Sequence, residues 1–128
     1  MKKLGIILLF LFVLSSFGVV LGEESSNPLI WKYKTNSWVL SVDTNNNASY
    51  TAASALDGSI YYLDNSGSLL WNKNVGHRIV DLSISEDYSK ITAVTGEKVY
   101  IFNNSGKQLD EYKSVNGAFM TISPDGKY

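Results

Sequence analysis

The chain has 128 residues, of which 45% are hydrophobic and 18% are charged, and its formal net charge is −1 at pH 7. This composition is typical of a folded globular protein, and it lacks the excess of positive charge that nucleic-acid binding requires. Cysteine is absent, so the fold depends on its core or on bound ions rather than on disulfides, and an acylated N-terminal cysteine is excluded.

The first 22 residues have the layout of a secretory signal peptide. Two lysines precede an apolar run, Leu4–Leu14, and a small-residue cleavage site ends at Gly22. The sequence therefore predicts a signal peptide at 1–22, a polar linker at 23–28, and a protein that is secreted or held at the cell surface. Because apolar residues continue to Leu21, about the length that spans a bilayer, an uncleaved membrane anchor is the alternative.

From position 29 onward the sequence has no convincing helical period. Short segments rich in Val, Ile, Tyr and Thr alternate with clusters of Asn, Asp, Ser and Gly about every ten residues, which is typical of an all-β fold. The segments predicted as strands are Trp38–Asp43, Tyr50–Ala55, Ile60–Leu63, Leu69–Lys73, Ile79–Ser85, Lys90–Thr95, Lys98–Phe102, Gln108–Tyr112 and Ala118–Ser123.

Much of this pattern recurs after about 40 residues, which is the length of a four-stranded β-propeller blade. The aligned pairs are Leu29–Lys32 with Leu69–Asn72, Tyr50–Ala53 with Ile91–Val94, and Ile60–Gly67 with Val99–Gly106. The sequence therefore predicts an all-β fold, a partial β-propeller of about two and a half four-stranded antiparallel blades. A small complete β-domain that only looks repetitive is the alternative.

The repeat also predicts how the chain is divided. An orphan outer strand is expected at 29–34, one blade at 35–75, a second at 76–115, and the start of a third at 116–128. The orphan strand would complete the last blade of a ring, because closure removes exposed strand edges. Since a ring takes about four to eight blades, we expect the chain to be the front part of a longer protein.

Residues 29–128 resemble the repeat-built propellers of the quinoprotein-dehydrogenase-like and WD-repeat-like superfamily. The resemblance lies in Asp57–Leu63, in Ser66–Trp71 and in the turn Ser123–Tyr128. It implies a propeller fold, and it implies little about function because enzymes, assembly factors and adhesive surface proteins share that fold.

Two tryptophans and two glycines are the candidate structural residues of the repeat. Trp31 and Trp71 are expected to pack between neighbouring blades, with Tyr112 in the equivalent place of the next blade, because a large flat ring buries much area at low entropic cost. Gly67 and Gly106 are expected to let the third and fourth strands of each blade reverse tightly.

Candidate sites for chemistry are few. Asn47 and Asn103 begin N-glycosylation sequons in predicted turns. His77 is the only histidine, so it makes neither a histidine metal cluster nor a recognisable catalytic triad, and we expect it to be structural or exposed near one face of the propeller. The tyrosines are expected to fill the core rather than form a carbohydrate-binding face.

The segment Asp43–Asn47 places oxygen ligands at alternating positions, as a calcium loop does. However, Ala48 stands where such a loop needs Gly, and Ser54 stands where it needs a bidentate Glu. The sequence therefore predicts a solvated turn at this point and no metal site.

The sequence predicts an exported, non-catalytic binding or surface scaffold whose loops at one end of the channel select an unknown protein or glycan ligand. It predicts no catalytic or cofactor-binding residue, no nucleic-acid partner, and membrane contact only through an uncleaved leader. Two alternatives stay open. One is the N-terminal portion of a quinone-dependent (PQQ-like) dehydrogenase or other propeller enzyme, with its site residues beyond Tyr128, and the other is a structural surface-layer or adhesion module.

Overall fold

The computed structural model describes residues 28–114 and 121–127. The leader predicted at 1–22 and nearly all of the linker predicted at 23–28 lie outside the described residues and stay predictions. The chain divides into two units, Met1–Ile30 and Trp31–Tyr128, and every strand of the described residues lies in the second. The described residues include no helix that could span a membrane.

Eight strands, each six residues long, form two separate sheets within the described part of the chain. They are β1 (Val39–Thr44), β2 (Tyr50–Ala55), β3 (Ser59–Asp64), β4 (Leu69–Asn74), β5 (Ile79–Ile84), β6 (Lys90–Thr95), β7 (Lys98–Asn103) and β8 (Gln108–Lys113). Each sheet contains four consecutive antiparallel strands, in the order β1-β2-β3-β4 (blade 1) and β5-β6-β7-β8 (blade 2). The predicted all-β fold of four-stranded antiparallel blades is confirmed.

Burial within each blade follows from strand composition. The second and third strands combine small or β-branched residues with aromatic ones and are buried on both faces. By contrast, β8 is exposed along its whole length and carries Asp110, Glu111 and Lys113. Charges on an outermost strand are a common way to protect an unpaired sheet edge.

The strand register repeats from blade to blade. Val42 pairs with Ala53 in blade 1, and Leu82 pairs with Ala93 in blade 2, which is a shift of 40 positions. A bulge in β1, between Val39 and Ser41, recurs at the same place in β5. The third and fourth strands repeat after 39 positions because the β2–β3 loop, residues 56–58, is one residue longer than the matching loop at 96–97.

This register corrects two alignments made from the sequence. Thr51, not Tyr50, is the counterpart of Ile91, and a slip of one residue moves every side chain of a strand to the opposite face. Asp110, rather than Tyr112, is the counterpart of Trp71. Trp71 pairs with Tyr62 of β3, and Asp110 pairs with Ile101, which holds the same place in β7.

The two blades pack face to face through one hydrophobic core, here called the seam. Blade 1 contributes one face of its sheet, and blade 2 contributes the face turned towards it. The buried members of the seam are Ala52, Ile60, Tyr62, Ile79, Leu82, Ile84, Ile91, Ala93, Tyr100 and Phe102. The sheets approach each other most closely through β1, β2 and β5, so β1 and β5 are the inner strands.

The segments that flank the blades have no strand in the described residues. Leu29–Lys34 is unpaired, and its predicted pairing with a last blade stays a prediction. The strand predicted at Ala118–Ser123 begins in 115–120, outside the described residues, and its described part is not a strand. A turn follows, closed by the Gly126 N–H donating to the Ser123 carbonyl at 2.9 Å. The predicted blade divisions likewise stay predictions.

Candidate binding surface at the loop end

Each blade has two unlike ends because its strands are consecutive and antiparallel. The β1–β2 and β3–β4 turns, with their counterparts in blade 2, lie at one end, here called the turn end. The β2–β3 loop, the β4–β5 connection and their counterparts lie at the other, here called the loop end.

At the turn end, one side-chain oxygen organises each β3–β4 turn. Asp64 Oδ1 accepts hydrogen bonds from the Ser66 N–H at 2.8 Å, the Ser66 hydroxyl at 2.6 Å and the Ser68 N–H at 3.0 Å. These bonds, the Ser66 hydroxyl first, hold the pKa of Asp64 below its ordinary value of 3.8. Asn103, the first residue of the second sequon, accepts the matching bonds from Ser105 and Lys107 in blade 2.

The segment considered as a calcium loop is a hydrogen-bonded turn. The Ala48 N–H donates to the Asn45 carbonyl at 2.8 Å, and the buried Asn45 side chain accepts from the Tyr50 N–H at 2.9 Å. Asn47, which begins the first sequon, is exposed and accepts from the Ser49 N–H at 3.1 Å. Within the described ranges, no group of three or more His, Cys, Asp or Glu side chains is placed to hold a metal.

The repeat tryptophans and glycines meet in pairs. A Cβ added at Gly106 would stand 2.9 Å from the indole of Trp71, and one added at Gly67 would stand 2.7 Å from the indole of Trp31. Both glycines adopt positive φ, +79° and +77° respectively. Trp71 also donates its indole N–H to the Asn104 carbonyl at 3.0 Å, which joins the outer strand of blade 1 to a turn of blade 2.

Blade 1 also presents an apolar face on the side away from blade 2. A groove of about 140 Å³ there is lined in part by Trp31, Val39 and Val42. The two valines are 47% and 57% exposed, whereas their counterparts in blade 2, Ile79 and Leu82, are 1% and 4% exposed because blade 1 covers them. The groove therefore lies on the face of blade 1 that corresponds to the covered face of blade 2.

The loop end carries exposed apolar residues on its inner side. Trp38 lies immediately before the inner strand β1 and is 82% exposed. The Trp38 carbonyl accepts a hydrogen bond from the N–H of Leu56, whose side chain is 48% exposed. The bulge residues of the two inner strands, Leu40 and Val80, are 40% and 41% exposed. Bulges redirect side chains at strand edges and often lie beside functional sites.

His77 lies at this loop end, in the β4–β5 connection, and its side chain is exposed. A Cβ added at Gly58 would stand 2.7 Å from the His77 carbonyl oxygen, so the connection packs closely on the β2–β3 loop. The Val75 N–H donates to the Gly58 carbonyl at 3.0 Å. At the equivalent place in blade 2, the Ser114 N–H donates to the Glu97 carbonyl. The loop end is therefore held by backbone contacts together with the Asn74 side chain, which donates to the Asp57 carbonyl at 2.9 Å and accepts from the Gly76 N–H at 2.7 Å.

Sequence reasoning missed the apolar residues of the loop end. Trp38 and Val80 read as ordinary strand residues, and only the observed bulges and exposure separate them from the core. It also missed the role of Asp43, whose carboxylate reaches across the seam and accepts from the Ile84 N–H at 2.8 Å.

Antiparallel four-stranded sheets that repeat in register and pack through their inner strands define a segment of a β-propeller. The chain is similar to the Cps50 (Swd1) β-propeller domain of Myceliophteria thermophila, with 17% identity over 73% of this chain and 31% of that chain, and a TM-score of 0.64. It is also similar to BamB from Moraxella catarrhalis, with 17% identity over 66% of this chain and 27% of that chain, and a TM-score of 0.61.

The WD40 repeats of RRP9 are a further similar structure, with 18% identity over 64% of this chain and 28% of that chain, and a TM-score of 0.58. The chain spans about three-tenths of the length of these structures. At such low identity the similarity shows the propeller fold alone. No protein-family model matches the chain, and no curated protein matches it.

Proposed function

We propose that the protein is an exported β-propeller repeat protein that acts as a non-catalytic binding or surface scaffold, and that its loop end receives the partner. The observation that carries this proposal is the group of exposed apolar side chains on the inner side of that end, with Trp38 the most exposed. The partner is a protein or a glycan that presents an apolar surface to this group.

These side chains would stay exposed even with a blade packed against the free face of blade 1. Arg78 and Val80 hold in blade 2 the positions that Trp38 and Leu40 hold in blade 1, since the inner strands repeat after 40 residues. Blade 1 packs beside blade 2, yet Arg78 and Val80 are exposed. The positions themselves therefore face away from the seam.

The chemistry of the loop end suits recognition. Tryptophan and arginine are the residues that most often contribute a large share of binding energy at interfaces, and Trp38 and Arg78 take equivalent places on adjacent blades. The close packing of His77 on Gly58 supports a rigid display of these side chains, which lowers the entropic cost of binding.

The turn end supports the choice of the loop end as the binding end. Its turns are built from Asn, Asp, Ser and Gly, and both sequons lie there, at Asn47 and Asn103. A glycan at either sequon would cover the turn end and leave the loop end free.

Binding can be tested with the immobilised chain against a glycan panel and against proteins from the surface fraction of the source cells. Trp38→Ala should weaken the captured interaction by about tenfold or more, the loss expected of a central interface residue. Tyr112→Ala, which alters an exposed ring on the outer strand β8, is the matched control and should leave it unchanged. Equal binding by both variants would contradict the proposal.

Two further measurements separate this function from its alternatives. N-terminal sequencing of the exported product should give Glu23 as the first residue if the leader is cleaved. Reading the gene beyond Tyr128 tests the non-catalytic role, because a quinone-dependent enzyme requires cofactor-binding residues in the later blades, whereas an adhesion module requires further domains or an anchor.

A further inference from the structure

Tyr88 adopts a backbone conformation that a bulky residue rarely adopts. Its φ is +51°, in the left-handed region, where a side chain crowds the backbone. The counterparts of Tyr88 in the other two turns of this kind are Ala48, at +52°, and Gly126, at +64°. Glycine is the unstrained residue for this position, so Tyr88 adds strain that the turn itself does not require.

The ring of Tyr88 crosses the seam to blade 1. Its centroid lies 5.2 Å from that of Tyr50, and the rings are inclined at 48°. Tyr50 in turn stacks on Tyr62, with centroids 5.4 Å apart and planes within 8°. Tyr88 is 38% exposed and Tyr62 is 1% exposed, so Tyr88 lies at the solvent side of this aromatic row.

The row ends in a buried polar group without a partner. The Tyr62 hydroxyl makes no hydrogen bond in the described structure, which is a costly state for a buried hydroxyl. Burial, followed by charge repulsion from the ionised forms of Tyr50 and Tyr88, raises the pKa of Tyr62 to about 12. The closed arrangement thus combines a favourable ring contact with two unfavourable features, a left-handed backbone at Tyr88 and an unpaired hydroxyl at Tyr62.

We propose that Tyr88 is a movable cover over the turn end of the seam. It is closed when its ring rests on Tyr50, and it opens when its turn leaves the left-handed region. Opening relieves the backbone strain and lets water reach the Tyr62 hydroxyl, so both unfavourable features of the closed state favour release. The opening breaks the turn bond in which the Tyr88 N–H donates to the Ser85 carbonyl at 2.8 Å, and it leaves the pairing of β5 with β6 intact because Tyr88 takes no part in it.

The experiment measures nitration of Tyr62 in the folded chain by tetranitromethane, located by peptide mass spectrometry. In the unaltered chain the nitration rate of Tyr62 should not change with urea concentration well below the unfolding transition, because a local opening exposes little additional surface. Tyr88→Gly removes the cover and its strain, and it should raise the rate at least about tenfold without lowering the urea midpoint. Tyr88→Phe keeps the ring and the strain, and it should leave the rate within about twofold.

Ala48→Gly is the matched control, because it relieves the same strain in the equivalent turn without removing a ring, and it should leave Tyr62 nitration unchanged. Two results would overturn the proposal. One is a Tyr62 rate in the unaltered chain that rises with urea in step with global unfolding. The other is a Tyr88→Gly chain that is folded by circular dichroism and nitrates Tyr62 no faster.

Discussion

The indole of Trp71, on the outermost strand of blade 1, lies against the α-carbon of Gly106 in blade 2, where an added Cβ would stand 2.9 Å from the ring. Trp31 lies against Gly67 of blade 1 in the same way. The segment that carries Trp31 therefore meets blade 1 as β4 meets blade 2. This recurring contact links the repeat in the sequence to the packing of the blades.

Replacing Gly106 with alanine should destabilise the fold by about 2–4 kcal/mol, because the new Cβ meets the Trp71 indole and the φ of +79° strains any side chain. Urea unfolding followed by circular dichroism measures the loss. Gly76→Ala is the matched control, since Gly76 has a φ of +78° with open space around it and should lose only the strain, about 1 kcal/mol. Equal losses at the two sites would show that the indole does not pack on Gly106.

Removing the carboxylate of Asp43 should loosen the seam. Its Oδ2 accepts from the Ile84 N–H at 2.8 Å and its Oδ1 accepts from the Thr44 N–H at 2.9 Å. Asp43→Ala should cost about 1.5–3 kcal/mol of unfolding free energy, the range for hydrogen bonds to charged groups. Ser41→Ala, on the same strand and face, is the control and should be nearly neutral. An Asp43→Ala variant with an unchanged free energy of unfolding would mean that the blades do not meet through this bond.

Relieving the strained turn of blade 1 should stabilise the protein. Ala48 has a φ of +52° and is exposed, so Ala48→Gly removes strain without removing a contact. The gain should be about 0.5–1 kcal/mol, because the greater entropy of glycine in the unfolded chain offsets part of the relief. Differential scanning calorimetry would show a higher Tm, and a lower one would mean that the turn does not adopt the left-handed conformation.

Stability should fall in acid as the β3–β4 turn of blade 1 loses its charge. The pKa of Asp64 is below 3.8 in the folded chain, so this group favours folding above pH 3.8 and ceases to do so as pH falls through the folded pKa. Asp64→Asn, which copies Asn103 of blade 2, should keep the turn and flatten that part of the pH–stability curve. An unchanged curve would contradict the role assigned to the Asp64 hydrogen bonds.

The positions of the strands could be predicted from the sequence because turn residues and β-branched residues alternate clearly. Tyr50–Ala55 and Lys90–Thr95 match the observed strands in full, and the other predicted bounds within blades 1 and 2 differ by at most one residue. The alignment of Ile60–Gly67 with Val99–Gly106 matches the observed repeat of 39 positions. The alignment of β2 was wrong by one residue because Ala52 and Ala53 give adjacent alignments similar patterns.

The candidate surface was harder to predict than the fold. Neither Trp38 nor Tyr88 belongs to a sequence motif. Trp38 is distinguished by its exposure and Tyr88 by its positive φ. Asp43 stands on a predicted inner strand, but its bond to Ile84 joins two sheets across 41 positions and depends on how the blades pack. A side-chain bond of this kind, unlike a repeated tryptophan, leaves no local sequence pattern.

The radial packing of the two blades can be measured directly by proton NMR on the full chain. Radial packing predicts nuclear Overhauser contacts from the Trp71 indole to the Gly106 α-protons and from the Trp31 indole to the Gly67 α-protons, with both glycine signals shifted upfield by the rings. Absence of both contacts, together with cross-strand contacts that pair Leu69–Asn74 with Ile79–Ile84 in one continuous sheet, would contradict it.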